Sequence, residues 1–143
     1  MRVVVDASVA VKWLIAEDDS VAARKLAAND EELHAPRLMA SEIANAVWRR
    51  ARLGEIGRSE ASAMIASVPG MPVRWNADET VCADAVRLAL ALDRPVYDCV
   101  YLALAYRLEA RLVTADRRFA NALAPTEHGY VVTTLADYAK THR

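Results

Sequence analysis

Four acidic residues occupy places from which their carboxylates could meet: Asp6, Glu42, Asp98 and Asp116. Asp6 closes the β-branched run Val3-Val4-Val5, just before a helix-like stretch. Glu42 falls early in a helical segment, Asp98 where another begins, and Asp116 just after the strand-like Leu112-Val113-Thr114. Two like charges about 4 Å apart repel by roughly 4 kcal/mol at an effective dielectric near 20, so such a quartet needs protons or cations to exist. No Lys or His stands near any of the four in sequence except at the periphery, and donors that are all oxygen select a hard ion, Mg2+ or Mn2+, over zinc. One or two such ions can hold a phosphodiester, acidify a bound water for attack on phosphorus and stabilise the leaving oxygen. The chemistry expected of the quartet is phosphodiester hydrolysis.

Five further residues fit around it. Ser8 and Thr114 can orient a water or a carboxylate; their other roles are helix capping, which Asp6 shares, and β-propensity. Asn45 and Arg49 lie on one helical stripe with Glu42, at three- and four-residue steps, and Arg117 adjoins Asp116. All three can reach phosphates, and the other reading of the arginines is a solvated face.

The acids need elements to carry them. Val3 to Val5 reads as a strand buried on both faces, followed by a short apolar helix from Ser8 to Ala16 and a second from Val21 to Ala28 capped by an Asp or Ser. Leu33-His34-Ala35 is a strand stopped by Pro36. A long amphipathic helix then runs from Leu38 to Leu53, with Ile43, Val47, Ala51, Ala44 and Trp48 on its apolar face and Gly54 as its C-cap. Ser59 is positioned to cap a helix through Ser67, Val73-Arg74-Trp75 fits an edge strand, and Asn76 or Asp78 opens a helix to Leu92. The segment Tyr97 to Ala110 is apolar nearly all round, which marks a central buried helix. Tyr130 to Thr133 is a last strand and Leu135 to Lys140 a closing helix. Strands separated by helices, with little polar alternation, imply a three-layer α/β/α domain with a mainly parallel central sheet and right-handed crossovers.

Composition bounds the rest. At 143 residues without a Pro/Gly-rich linker or internal repeat, residues 1–143 are expected to form a single domain. Eighteen Lys and Arg against nineteen Asp and Glu leave a net charge of −1, so bulk attraction to nucleic acid is excluded and any RNA must be held locally or through cations. Cys82 and Cys99 lack a C-x-x-C spacing and are expected as buried free thiols in a reducing compartment. His34, His128 and His142 are scattered, which removes a zinc site or a Ser/His/Asp triad from consideration. Asp6 and Lys12 interrupt the N-terminal apolar run, no uncharged stretch is long enough to span a bilayer, and a soluble, cytoplasmic protein without membrane contact is expected. Trp13, Trp48 and Trp75 are expected in the core or at an interface.

These blocks together resemble the PIN domain, and within it the VapC-type toxins of toxin–antitoxin pairs: V-V-V-D-A-S at the start, A-S-E-I-A-N-A-V-W around Glu42, Y-D-C-V-Y-L-A-L-A around Asp98 and V-T-A-D-R-R-F around Asp116. The resemblance covers nearly the whole chain. It implies a PIN-like fold and a Mg2+- or Mn2+-dependent endoribonuclease leaving a 5′-phosphate. Asp6, Glu42, Asp98 and Asp116 match the catalytic and metal-binding quartet, with Ser8 and Thr114 as its polar companions. Some members carry another acid after the last block; here Asn121 is the nearest polar candidate, and a second metal site is correspondingly in question. The resemblance further implies a homodimer, and inhibition by a VapB-like antitoxin that sends a basic side chain into the acidic pocket. Structured RNA such as tRNA, cut in an exposed loop, is the expected substrate. Two alternatives remain: a PIN nuclease of RNA processing without an antitoxin, and an acidic-pocket Mg2+-binding signalling module. The second is disfavoured because Asp6 stands alone after its strand and no lysine follows Thr114.

Overall fold

The computed structural model describes residues 1–142, and its frame is a five-stranded sheet in the order β3-β2-β1-β4-β5 with every pairing parallel. The strands are β1 (Arg2–Val5), β2 (Glu32–Pro36), β3 (Arg74–Asn76), β4 (Arg111–Thr114) and β5 (Val132–Thr134). Between and after them run α1 (Ala7–Leu14), α2 (Ser20–Ala28), α3 (Leu38–Arg52), α4 (Arg58–Ser67), α5 (Cys82–Leu92), α6 (Val96–Arg107), α7 (Arg117–Leu123) and α8 (Leu135–Thr141). A parallel sheet needs helical crossovers, and right-handed ones lay helices on both faces. The three-layer α/β/α architecture follows.

Strand order decides where a site can form. The chain steps outward from β1 to β2 and β3, then returns to place β4 on the other side of β1. The switch point therefore lies between the carboxyl ends of β1 and β4, where open α/β sheets bind ligands. Val3, Val4 and Val5 are fully buried, as are Leu112, Val113 and Thr114, so the two strands that meet there are the best packed in the sheet. Their register pairs Val5 with Val113, which sets Asp6 beside Thr114. From one face α6 packs across β1, β2 and β4, and its seven consecutive residues from Cys99 to Ala105 are all buried.

Several local expectations are corrected. Helix α4 starts at Arg58 after Gly57, whose N–H donates to Glu60 Oε1 at 3.2 Å; Ser59 lies inside the first turn and caps nothing. The expected Asn76–Leu92 helix divides into a 3-10 turn, Asp78–Thr80, and α5. Asp78 instead accepts from the N–H of Leu38, at 3.1 Å, and so caps α3 from beyond the end of the neighbouring strand β3. Cys99 is buried but Cys82 is exposed, because the first turn of α5 faces outward there. Trp13 is half-buried and donates its indole N–H to Ala23 O at 2.8 Å, whereas Trp48 is 53% exposed and no part of the core. The last strand is shorter than expected, leaving Tyr130 exposed in the preceding turn. Among the described residues no helix is long and apolar enough to cross a membrane.

Candidate active site

Asp6 does two jobs at the end of β1. Its carboxylate caps α1, accepting from the Val9 N–H at 3.4 Å, so the capping alternative describes a real contact. It also receives two hydroxyls: Ser8 Oγ donates to Oδ1 and Thr114 Oγ1 to Oδ2, each at 2.5 Å. Those hydroxyls are fixed in turn from the far strand, since Ala115 N–H donates to Ser8 Oγ at 2.9 Å and Asp116 N–H to Thr114 Oγ1 at 3.0 Å. Ser8 and Thr114 thus stitch the loop after β1 to the loop after β4. Burial pushes the Asp6 carboxyl up to about 6, the hydroxyl and backbone donors oppose that rise, and the nearby negative charge of Asp116 adds to it.

The other three acids arrive on helix beginnings. Asp116 caps α7, with Oδ1 accepting from Arg118 N–H at 3.0 Å and Phe119 N–H at 3.2 Å. Glu42, in the second turn of α3, accepts a 2.5 Å hydrogen bond on Oε1 from the hydroxyl of Tyr101, a buried residue of α6. Asp98, in the first turn of α6, faces Arg94 Nη2 at 3.5 Å from its Oδ2. Partial burial raises both the Glu42 and the Asp98 carboxyls; Tyr101 and Arg94 respectively counter the rise, and like charges reinforce it. Those like charges connect the quartet: Asp6 and Asp98 act on Glu42, and Asp116 acts on both Asp6 and Asp98.

The four carboxylates form an electrostatic cluster but not a ready-made chelate. Among the described residues no three Asp, Glu, His or Cys side chains stand close enough to hold one ion as they are placed. Glu42 Oε2, Asp98 Oδ1 and Asp116 Oδ2 accept no hydrogen bond from the described residues, while the other oxygen of each is held by protein. Donors that are all oxygen, charges that repel, and an oxygen left free on three of four carboxylates fit a hard divalent ion in type and charge.

Beside the acids opens a cavity of about 790 Å3 lined by Ser8, Glu42, Asn45, Arg49, Tyr97 and Asp116 among others. Asn45 and Arg49 therefore share the crevice with two of the acids, as their stripe on α3 required. Arg117 is exposed and outside this lining. At the far end Lys12 and Arg50 both pair with Glu17, Lys12 Nζ at 3.2 Å, so their charge is met internally. Two contributors escaped sequence reading. Arg94 carried a signal, the four-residue spacing to Asp98; its guanidinium also lies 5.2 Å from the centre of the Phe119 ring. Tyr101 carried none toward Glu42, 59 residues away, because only the packing of α6 against α3's end of the sheet brings them together.

The PIN domain family model matches residues 3–123, a span that contains all four acids. The chain belongs to the PIN domain family. It is 36% identical over 124 residues to Ribonuclease VapC3 of Pyrobaculum aerophilum, covering 84% of this chain and 93% of that protein. Among solved structures, PAE2754 from Pyrobaculum aerophilum superposes with a TM-score of 0.74 at 23% identity, covering 99% of this chain and 88% of its own. VapBC2 from Rickettsia felis, bound to a DNA fragment from its promoter, superposes at 0.63 with 9% identity, covering 94% and 98%. Likeness at such low identity is likeness of fold. The chain is thus an enzyme of a nuclease family, of the VapC type, and the signalling-module alternative falls away.

Proposed function

We propose that residues 1–143 form one nuclease domain, a VapC-type endoribonuclease toxin, in which Asp6, Glu42, Asp98 and Asp116 bind Mg2+ or Mn2+ at the switch point and hydrolyse RNA there. The observation that carries the reading is the meeting of Asp6 and Asp116 across Ser8 and Thr114, with Glu42 and Asp98 close enough to raise or be raised by their charge. The bound ion would supply a nucleophilic water at neutral pH and charge stabilisation at the phosphoryl group.

The chain's own residues prepare the site for it. Ser8 and Thr114 hold Asp6 in one orientation, and Tyr101 holds Glu42 with Oε2 free. Arg94 pairs with one oxygen of Asp98 and leaves the other open. Asn45 and Arg49, on the cavity wall, are placed to take the RNA backbone, and Arg117 offers a further cation outside it. In VapBC2 a toxin and an antitoxin are found together, and a VapB-like antitoxin that lends a cation to the acidic crevice is the partner expected here, alongside a second copy of the chain.

Purified protein incubated with total RNA, with structured RNA such as tRNA included, should cut in Mg2+ or Mn2+ and stop in EDTA, leaving 5′-phosphate ends on mapping. Asp6→Asn and Asp98→Asn should each abolish cleavage while leaving the circular dichroism spectrum unchanged. RNA left intact by the wild type in both metals, or full activity in either variant, would sink the assignment.

A further inference from the structure

The cavity beside the acids has an aromatic wall that the chemistry above does not use. Tyr97, on the first turn of α6 and one residue before Asp98, is 65% exposed and lines the same cavity as Glu42, Asn45, Arg49 and Asp116. The seven residues of α6 from Cys99 to Ala105 are buried, whereas this ring, in the first turn, is turned outward. Three other tyrosines are committed to protein partners: Tyr101 to Glu42, Tyr106 to His128 and Tyr138 to Glu31. The hydroxyl of Tyr97 makes no hydrogen bond and its ring stacks on no other among the described residues. An aromatic face free on one side, with the Arg49 guanidinium side chain lining the same cavity, matches the two demands of an unpaired nucleotide: a surface for the base and a charge for its backbone.

We propose that Tyr97 is the stacking platform for a base flanking the scissile phosphate, and that it makes the enzyme prefer unpaired RNA. This rests on the nuclease reading. In a duplex both faces of each base are already covered by neighbours, so Tyr97 gains nothing; an unpaired base offers a free face. The contact is to the ring, and the hydroxyl is dispensable.

The test is steady-state cleavage of a hairpin RNA with an unpaired loop and of a fully paired duplex, by wild type, Tyr97→Ala and Tyr97→Phe. Fluorescence anisotropy on the same RNAs in Ca2+ and sedimentation velocity accompany it. A lost base stack weakens binding by about ten-fold or more, so Tyr97→Ala should raise KM and Kd for the hairpin by that factor with kcat within about two-fold. Tyr97→Phe should keep wild-type values, and Tyr97→Ala should treat hairpin and duplex nearly alike. An unchanged KM in Tyr97→Ala, or an equal loss in Tyr97→Phe, overturns the proposal. So does a Tyr97→Ala that only changes the sedimentation coefficient, which would mark the ring as a protein contact. A wild type that cuts no RNA overturns the nuclease reading and this one with it; a cutting wild type matched by Tyr97→Ala overturns this one alone.

Discussion

Burial pushes Asp6 up to about 6 from an ordinary 3.8, and the direction of that shift sets how stability depends on pH. Below pH 4 folded and unfolded chains both carry the proton. Between about 4 and 6 the unfolded chain loses it first, so stability falls as pH rises through that window and stays low above it; two pKa units correspond to about 3 kcal/mol. Asn at this position cannot ionise. In EDTA, Asp6→Asn should therefore melt above the wild type at pH 7 and lose most of that advantage by pH 4, as differential scanning calorimetry would register. Thr114→Val acts oppositely. The buried hydroxyl donates to Asp6 and accepts from the Asp116 N–H, and a valine of the same shape strands both partners. A loss of about 1 to 3 kcal/mol in denaturant unfolding is expected, with the Asp6 carboxyl pushed higher still.

The turn between α7 and β5 is a tight place among the elements. A Cβ on Gly129 would come within 2.5 Å of the carbonyl oxygen of Ala124, a backbone atom that has no room to give. Gly129→Ala should cost about 1 to 3 kcal/mol of stability by crowding alone, seen as a lower urea midpoint with an unchanged slope. Elements of this kind were legible in the sequence where hydrophobic period and turn chemistry agreed: Val3 to Val5, the α3 stripe, the apolar α6. They were misread mainly at element ends, where more than one residue could serve as the cap. Ser59 lost the α4 cap to Gly57 and Glu60, Asp78 left its own helix to cap α3, and Trp48, expected in the core or at an interface, stands outside the core. The placement of the acids was legible because Asp6, Asp98 and Asp116 stand at element boundaries and Glu42 early in α3. Tyr101 and Arg94 steady those acids from the packed side, and a tertiary contact like that between Tyr101 and Glu42 leaves no periodic mark.

Over the whole molecule, three carboxyls raised by burial and by neighbouring carboxylates mean that the folded state carries a repulsion that the unfolded chain relieves. A divalent ion bound only by the folded form would reverse that. Titrating Mn2+ at pH 7 should raise the melting temperature progressively, by an amount equivalent to about 2.7 kcal/mol at a hundred times the dissociation constant. Asp98→Asn should flatten the curve. A melting temperature indifferent to Mn2+ would show that the crevice holds no ion.

The bond from Thr114 to Asp6 joins residues 108 apart in the chain. Synthesis runs from the N-terminus, so Asp6 leaves the ribosome long before β4 exists to pair with β1 and complete the crevice. On the site proposed above, a nascent chain therefore has no complete acidic crevice until Thr114 and Asp116 have been translated.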